Sequence, residues 1–386
     1  MEKNQEIYLD NAATTKSYDE VNAVMLEMLE HCYGNPSSMH RLGMQAENRM
    51  RSAAKAVADA LGVREDEIVF TSGGTESDNL AICGYAMANK RRGQHVITTS
   101  LEHPAVAECF RYLAEEGFHV DVLQADEWGN IDLQELSDLL RPDTILVSMM
   151  HVNNEVGSIL PVGDVKRCML RAPFAALHVD AVQSFGKIPV LPAKWGVDLL
   201  SVSGHKLHGP KGVGALYIKR KTRIRPIVYG GHQQRNLRSG TENTVAICGF
   251  GKAVSLAMER LEKNGHHVKQ LKQKLLDGIL AHIDGAVCHS GPDSTDYILN
   301  VSFPGIRSEI LLHMLESEGI YVSSGSACAS NKPAPSPVLT AMGKSPALID
   351  SAIRFSFSEF NTEAEIERVI PILAQKVADI RKYVRR

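Results

Sequence analysis

Lys206 and Asp180 are the two residues whose types and positions most directly suggest chemistry. Lys206 ends a run that starts at Asp198, where an apolar stretch gives way to small and polar residues and then to a Gly/Pro-rich turn. Asp180 closes a second short apolar run that starts at Ala175. A lysine amine forms a Schiff base with an aldehyde, and a carboxylate that pairs with a pyridinium nitrogen lets that ring act as an electron sink. The two residues therefore suit an enzyme that uses pyridoxal phosphate.

A phosphate-binding turn is predicted in residues 72–77, which follow a strand-like segment and open a helix-like one. Backbone N–H groups at Gly74 and Thr75 could approach an anion closely, helped by the partial positive charge of the helix amino terminus. An ordinary strand-to-helix turn with Thr75 as N-cap is the alternative. Ser203 and His205, which flank the lysine, could also donate to phosphate oxygens.

Three further polar residues stand at predicted strand ends. His103 precedes a proline that favours a first helical turn, so its ring could stack on a planar cofactor or serve only as a cap. Asn154 could donate to a substrate carboxylate or to the cofactor, although Asn and Gly also favour plain turns. Gln183, three residues after the aspartate, could reach the phenolic oxygen of the cofactor.

Thr241 and Arg354 lie later in the chain and have strong alternative interpretations. Thr241 precedes a long helical segment and could give a hydroxyl to a phosphate or cap the helix. Arg354 lies inside an apolar strand pattern and needs a partner, either a substrate α-carboxylate or an internal ion pair.

Cys328 lies in a run of small residues, 323–330, followed by three prolines. Such a segment buries little apolar surface, which predicts an exposed, mobile loop. Because cysteines are usually buried, a thiol here suggests a nucleophile that attacks a bound substrate and carries the product outward. An incidental surface cysteine is the alternative. The other six cysteines lie within apolar or helical patterns and are interpreted as packing residues.

The elements that must position these residues alternate along the chain. Strands are predicted at 67–71, 95–99 and 144–149, and helices at 75–89 and 104–114. Apolar strands separated by helices indicate a mostly parallel sheet covered on both faces, with ligands at the carboxyl ends of its strands. A helical stretch over 244–282, broken at Asn264-Gly265, is expected to join a large domain to a smaller one. The smaller domain has predicted strands at 297–303, 320–323 and 352–357 and helices at 308–318 and 363–384, and the first dozen residues are expected to pack with it.

Composition narrows the class of protein. The chain has 386 residues, 44% of them hydrophobic, and a formal net charge of −3, so it can bury a large core and shows no basic excess that would indicate nucleic acid or a membrane surface. No apolar run is long enough to cross a bilayer. Seven scattered cysteines without a Cys-x-x-Cys pair argue against disulfides or a zinc site, and they predict a cytoplasmic protein.

Together these motifs resemble the cysteine desulfurases of the NifS/IscS group, which are class V aminotransferase-like enzymes. The similarity extends over essentially the whole chain and rests on segments that include residues 8–15, 71–79, 102–104, 153–155, 178–184, 203–212, 238–243 and 323–328. It implies an α/β fold of the pyridoxal-phosphate transferase type I, with a seven-stranded, mostly parallel sheet between helices and a smaller α+β domain. The implied division places residues 15–250 in the large domain, and residues 1–14 and 251–386 in the small one with the cysteine loop.

The resemblance also implies the roles of single residues. Lys206 carries the cofactor, His103 stacks on its ring, Asp180 pairs with its nitrogen and Gln183 bonds its phenolic oxygen. The phosphate is held by Gly74, Thr75, Ser203 and His205, with Thr241 reaching across from the second subunit of a homodimer. Asn154 and Arg354 hold the carboxylate of L-cysteine, Lys206 moves its Cα proton, and Cys328 becomes a persulfide, with His103 as a candidate proton acceptor.

The expected products are L-alanine and sulfur for an acceptor protein, such as an iron–sulfur scaffold. No resident metal is expected, although Cys328 could ligate an iron–sulfur cluster transiently during transfer. The alternatives are a selenocysteine lyase, another aminotransferase-like enzyme or a non-catalytic sulfur-transfer partner.

Overall fold

A computed structural model describes residues 6–324 and 335–384, so the predicted nucleophile Cys328 lies outside the described residues. The strands are β1 (Ile7–Tyr8), β2 (Ile68–Thr71), β3 (His95–Thr99), β4 (His119–Leu123), β5 (Thr144–Met150), β6 (Ala176–Asp180), β7 (Leu199–Ser203), β8 (Gly214–Ile218), β9 (Val287–Cys288), β10 (Ile298–Ser302), β11 (Ile320–Tyr321), β12 (Ser323–Ser324) and β13 (Ala352–Ser356). The helices are α1 (Asp19–His31), α2 (Arg41–Leu61), α3 (Gly74–Asn79), α4 (Tyr85–Asn89), α5 (Pro104–Glu115), α6 (Leu133–Leu139), α7 (Val162–Cys168), α8 (Pro192–Trp195), α9 (Gln233–Asn236), α10 (Thr244–His282), α11 (Ser308–Glu316), α12 (Pro337–Ala341), α13 (Pro346–Asp350) and α14 (Glu363–Val384).

The central sheet has seven strands in the order β2-β8-β7-β6-β5-β3-β4. Only β8 runs antiparallel to its neighbours, and the other adjacent pairs are parallel. Every residue of β3, β5, β6, β7 and β8 is buried, as expected for strands that helices cover on both faces. The predicted seven-stranded, mostly parallel sheet is therefore confirmed.

A second core forms around a four-stranded antiparallel sheet in the order β12-β13-β10-β9. Ile7, Leu9 and Ala12 belong to this core, and β1 pairs in parallel with β11, so the described part of the amino-terminal segment packs with the small sheet as the sequence predicted. The strand predicted over 320–323 is divided, because β11 pairs with β1 whereas β12 pairs with β13. The domain limits at residues 14 and 250 stay a prediction.

Helix α10 is continuous from Thr244 to His282, so the predicted break at Asn264-Gly265 is wrong. The side chain of Asn264 is buried and donates from Nδ2 to Glu359 Oε1 at 2.9 Å, which occupies the amide that could otherwise compete with the helix backbone. The first half of α10 packs in the core of the large sheet, and its second half packs in the core of the small sheet. A single rigid element thus belongs to both cores.

Hydropathy along the helices of the described ranges leaves no candidate for a membrane span, since none combines the necessary length with the necessary apolar character.

Candidate active site

A cavity of about 220 Å³ opens where five strands of the central sheet end, namely β2, β3, β5, β6 and β7. Its lining includes these residues predicted from the sequence: Gly74, Thr75, His103, Asn154, Asp180, Gln183, Ser203, His205, Lys206 and Arg354. Carboxyl ends of parallel strands share one edge of a sheet, which explains how residues far apart in the chain meet here. The sequence did not indicate Ala12 and Ala13, which form another part of the wall.

Lys206 ends a single 3₁₀ turn, Gly204–Lys206, that follows β7 directly. Its Nζ donates to the backbone oxygens of Ala12 at 2.7 Å and Ala13 at 2.8 Å. The amino-terminal segment therefore orients the lysine, because two fixed carbonyl acceptors define where the amine points.

A buried acidic group forms the back of the cavity. Asp180, the last residue of β6, accepts a hydrogen bond from Val182 N at 2.9 Å, and burial followed by the nearby Asp78 raises its pKa to about 7. Burial raises the pKa of Asp78 to about 7 as well, and burial raises that of Glu102 to about 8. The sequence analysis missed Asp78, although its position four residues after Gly74 places both on one face of α3. A cationic N–H at this end of the cavity would find carboxyl partners.

His103 is the N-cap of α5, and its Nδ1 accepts a hydrogen bond from Ala105 N at 3.1 Å. This bond leaves the proton of the neutral ring on Nε2. Burial and then the charge of Lys206 lower the pKa of His103 to about 4, so the ring is neutral near pH 7. A neutral imidazole suits stacking on a planar group, and covalent use of Lys206 would remove the second cause of the low pKa.

Another part of the cavity wall presents donors. Gly74 begins α3, and a Cβ there would lie 2.8 Å from Val182 Cγ2, so only a glycine fits without displacing that side chain. Ser203 Oγ is buried and has no hydrogen-bond partner among the described residues. His205 contacts Thr14 Oγ1 through Nδ1 at 3.2 Å. Backbone amides of a helix start beside an unsatisfied hydroxyl suit a bound oxyanion.

Arg354 on β13 is buried and already ion-paired. Its Nη2 donates to Asp10 Oδ1 at 2.7 Å, and its Nη1 donates to Asn154 O at 2.9 Å. Its Nε is buried without a hydrogen-bond partner in the described part of the chain. The internal ion pair that the sequence left open is therefore present, and the guanidinium also lines the cavity. Asp10 was not identified from the sequence, because nothing in its neighbourhood indicates a partner more than 340 residues away.

Thr241 does not line this cavity and is exposed. It follows a segment with an unusual backbone, in which His232, Gln234, Arg235 and Asn236 all have positive φ. Val228 and Tyr229 in the same stretch are exposed apolar residues. The role of Thr241 in the site of a second subunit therefore stays a prediction, because a single chain does not test it.

A separate polar cluster lies on the β3–β4 edge of the sheet. His95 and His119 contact the two carboxylate oxygens of Asp121 at 2.9 and 3.1 Å, and Arg141 donates to the same carboxylate at 3.0 Å. The second ring nitrogen of His95 contacts Thr144 Oγ1 at 2.7 Å. These side chains satisfy one another's hydrogen bonds, so the cluster is explained as an ion-pair network.

A family model, curated sequences and solved structures all match this chain over most of its length. The family model described as aminotransferase class-V matches residues 7–369. A cysteine desulfurase IscS of Methanosarcina thermophila is 41% identical over 98% of this chain and 94% of its own length. A solved structure named NifS-like protein superposes with a TM-score of 0.92 at 40% identity, covering 97% of this chain and 100% of that one. A structure of SspA in complex with cysteine superposes with a TM-score of 0.81 at 34% identity, over 92% of this chain and 99% of that one.

Proposed function

This chain belongs to the class-V aminotransferase family, and we propose that it is a cysteine desulfurase that binds pyridoxal phosphate. The observation that carries the proposal is the single cavity that unites Lys206 with the buried carboxyl of Asp180, the unsatisfied Ser203 hydroxyl and the guanidinium of Arg354. Amine, acid, oxyanion donors and a cation in one pocket match an aldehyde cofactor with a phosphate and an amino-acid substrate.

The residues fit pyridoxal phosphate on physical grounds. Ser203 Oγ is a buried donor without a partner among the described residues, and Gly74 and Thr75 at the start of α3 line the same cavity, so this wall offers hydrogen-bonding capacity for a phosphate. Burial and the nearby Asp78 make Asp180 costly to ionise, and a pyridinium N–H would give it a partner. When bound, the cofactor supplies the electron sink that makes the substrate Cα proton acidic and activates the C–S bond.

The remaining steps belong to residues of this chain. Lys206 Nζ would hold the cofactor and move the proton at the substrate Cα. His103 would stack on the ring, and Gln183 would donate to the phenolic oxygen. Arg354, held by Asp10, would bind the substrate carboxylate together with Asn154.

Cys328 is the proposed sulfur acceptor. Its thiolate attacks the substrate sulfur, so an S–S bond forms while the C–S bond breaks, and the carbon takes a proton to leave as L-alanine. Low-pKa or base-assisted thiolates are the reactive form of cysteine. The persulfide is then passed to an acceptor protein, for which an iron–sulfur scaffold is our first candidate. The cytoplasmic location stays a prediction.

The decisive test is an assay of the purified, cofactor-loaded protein with L-cysteine and a reductant. We expect equal amounts of L-alanine and sulfide, and Cys328→Ala should lose at least about a hundredfold in rate because it removes the proposed acceptor of the sulfur. Cys168→Ala is the matched control, since this half-buried thiol on α7 lies outside the cavity.

Two results would contradict the proposal. Full activity in Cys328→Ala would exclude a persulfide on that residue. Release of pyruvate or an amino-group transfer in place of L-alanine would place the chain in another branch of the family.

A further inference from the structure

Lys187 is a buried lysine for which the proposed reaction has no use. It lies in the turn after β6, only 8% exposed, and the carboxylate of Glu359, whose charge raises the pKa of this lysine, contacts His208 Nε2 at 3.1 Å instead. Its Nζ donates to Gln183 Oε1 at 3.2 Å and lies 5.7 Å from the centre of the Tyr297 ring. Burying an ammonium group without a counter-ion is expensive, so a purely space-filling role would suit a methionine or leucine better.

The contact of Lys187 determines which way the Gln183 amide faces. An ammonium group only donates and a backbone oxygen only accepts, so Gln183 turns Oε1 to Lys187 and Nε2 to the oxygen of Ala12, which lies at 2.9 Å. Rotating the amide by half a turn would oppose two donors at one end and two acceptors at the other. Because these two contacts fix the plane of the amide, they also fix the direction of the second N–H of Nε2, which stays available to a ligand.

The oxygen of Ala12 extends this arrangement to Lys206. It accepts from Gln183 Nε2 and from Lys206 Nζ, so a continuous chain of hydrogen bonds joins Lys187 to Lys206. The chain passes through residues 183 and 12, both of which line the cavity, whereas Lys187 itself does not line it.

We propose that Lys187 is a positioning residue, which holds the Gln183 amide so that an N–H of Nε2 faces the phenolic oxygen of pyridoxal phosphate. The inference rests on the proposed function, since it requires the cofactor in this cavity. Its consequence is that Lys187 controls, through Gln183, how strongly the phenolic oxygen holds negative charge and hence how basic the nitrogen joining Lys206 to the cofactor is.

Electrostatics near Lys187 support this role. Burial, followed by the charge of Lys206, lowers its pKa to about 7, while Glu359 acts in the opposite direction and Arg354 in the same one. The ring of Tyr297 also faces it, and Tyr18 and His208 line a small cavity together with Lys187 and Glu359. A neutral amine keeps its N–H donors, and the oxygen of Ala12 accepts from Gln183 Nε2 at any pH, so the orientation of Gln183 holds on both sides of pH 7.

The test follows the visible absorption of the pyridoxal-phosphate-loaded protein as the pH is varied. In Lys187→Met the midpoint of this pH titration should rise by about 0.7 pH unit. That is about a fivefold gain in the proton affinity of the nitrogen that joins Lys206 to the cofactor, because one hydrogen bond to the phenolate is weakened. The dissociation constant of pyridoxal phosphate, measured with the apoprotein, should rise about fivefold for the same reason. Lys272→Met is the matched control, since this half-buried lysine donates to Ser294 Oγ and Thr295 O, away from the cavity.

A double variant separates positioning from direct charge effects. If Lys187 acts through the amide, Lys187→Met should add no further shift in a Gln183→Ala background, whereas a direct effect of its charge would add in full. Lys187→Gln keeps a donor and should shift the midpoint less than Lys187→Met, whereas Lys187→Leu lacks one and serves as the test if the methionine variant does not fold. An unchanged midpoint in Lys187→Met or Lys187→Leu, or full additivity, overturns the inference while leaving the proposed function intact. Failure of the wild type to bind pyridoxal phosphate contradicts both.

Discussion

Single residues of the cavity owe their charge states mainly to burial. Desolvation raises the pKa of Asp180 and lowers the pKa of His103 and of Lys187. Each shift disfavours the charged form, which is costly in a site without its ligand. Burial of these groups therefore lowers the stability of the fold, and a cofactor with complementary charges would recover part of that free energy.

Burial of the Asp180 carboxyl predicts that the free energy of unfolding depends on pH within a defined range. An ordinary Asp titrates near 3.9, whereas burial raises the pKa of Asp180 to about 7. A raised carboxyl pKa contributes stability that is present below pH 4 and lost as the pH rises through about 7. Asp180→Asn lacks this loss, so at pH 8 the apoprotein of the variant should be more stable than wild type by about 1–3 kcal/mol. Desulfurase activity should fall at least about a hundredfold, because asparagine cannot hold a pyridinium proton.

Urea unfolding of both apoproteins at pH 4 and pH 8 checks this prediction. The difference in unfolding free energy between Asp180→Asn and wild type should favour the variant more at pH 8 than at pH 4. A difference independent of pH would show that the carboxyl does not titrate as argued. Asp138→Asn, an exposed carboxylate on α6, is the control and should change the unfolding free energy little at either pH.

The sequence identified residues whose chemistry is visible in their own segment. Lys206 and Asp180 stand out because an apolar run ends at each of them. Asp10 and Lys187 were given no role, because their roles depend on contacts with Arg354 and Gln183 and on burial, which only the fold reveals. Local patterns therefore predict the reactive groups better than the groups that hold them in place.

Among the elements, strands of the central sheet were the easiest to predict. Continuous apolar runs bounded by polar turns gave β2, β3 and β5 within one or two residues. The division of residues 320–324 between β11 and β12 could not be foreseen, since pairing partners are not visible in a run of four or five residues. The same limit explains the wrong break in α10, where Asn264 and Gly265 have low helix propensity but tertiary contacts maintain the helix.

Two glycines of α10 allow the effect of helix propensity on stability to be compared with the effect of close packing. A Cβ at Gly265 would meet no atom within 4 Å, whereas a Cβ at Gly251 would lie 2.6 Å from Ala53 Cα on α2. Gly265→Ala should raise the unfolding free energy by about 0.5–1 kcal/mol, because alanine loses less backbone entropy in a helix. Gly251→Ala should lower it by about 1–3 kcal/mol, since the helices must separate.

Chemical denaturation of the two variants beside wild type measures both effects. Destabilisation by Gly265→Ala would indicate that α10 needs flexibility or a kink at this position. A neutral Gly251→Ala would indicate that the α2–α10 contact adjusts more easily than its close approach suggests.

At the scale of the whole molecule, the predicted homodimer rests on the stretch before α10. Thr241 is exposed, and the preceding segment combines exposed Val228 and Tyr229 with several non-glycine residues at positive φ. Exposed apolar side chains and backbone strain are features of surfaces that a partner covers. We therefore expect a dimer by light scattering, with Thr241 of each subunit at the phosphate of the other.

Mixing two inactive variants tests whether the sites are shared. Lys206→Ala removes the amine of its own site, and Thr241→Asp places a negative charge at the phosphate of the opposite site. After unfolding and refolding together in equal amounts, half of the dimers carry one of each subunit, and one of their two sites is intact. Activity should therefore return to about a quarter of the wild-type value.

The matched control mixes Lys206→Ala with Arg354→Ala, because both side chains line one cavity of the same chain. Every site in those mixed dimers keeps a defect, so no activity should return. If Thr241 served its own subunit, the first mixture would behave like this control. Return of activity in the first mixture alone would thus assign Thr241 to the partner site, because refolding or subunit exchange by itself would affect both mixtures equally.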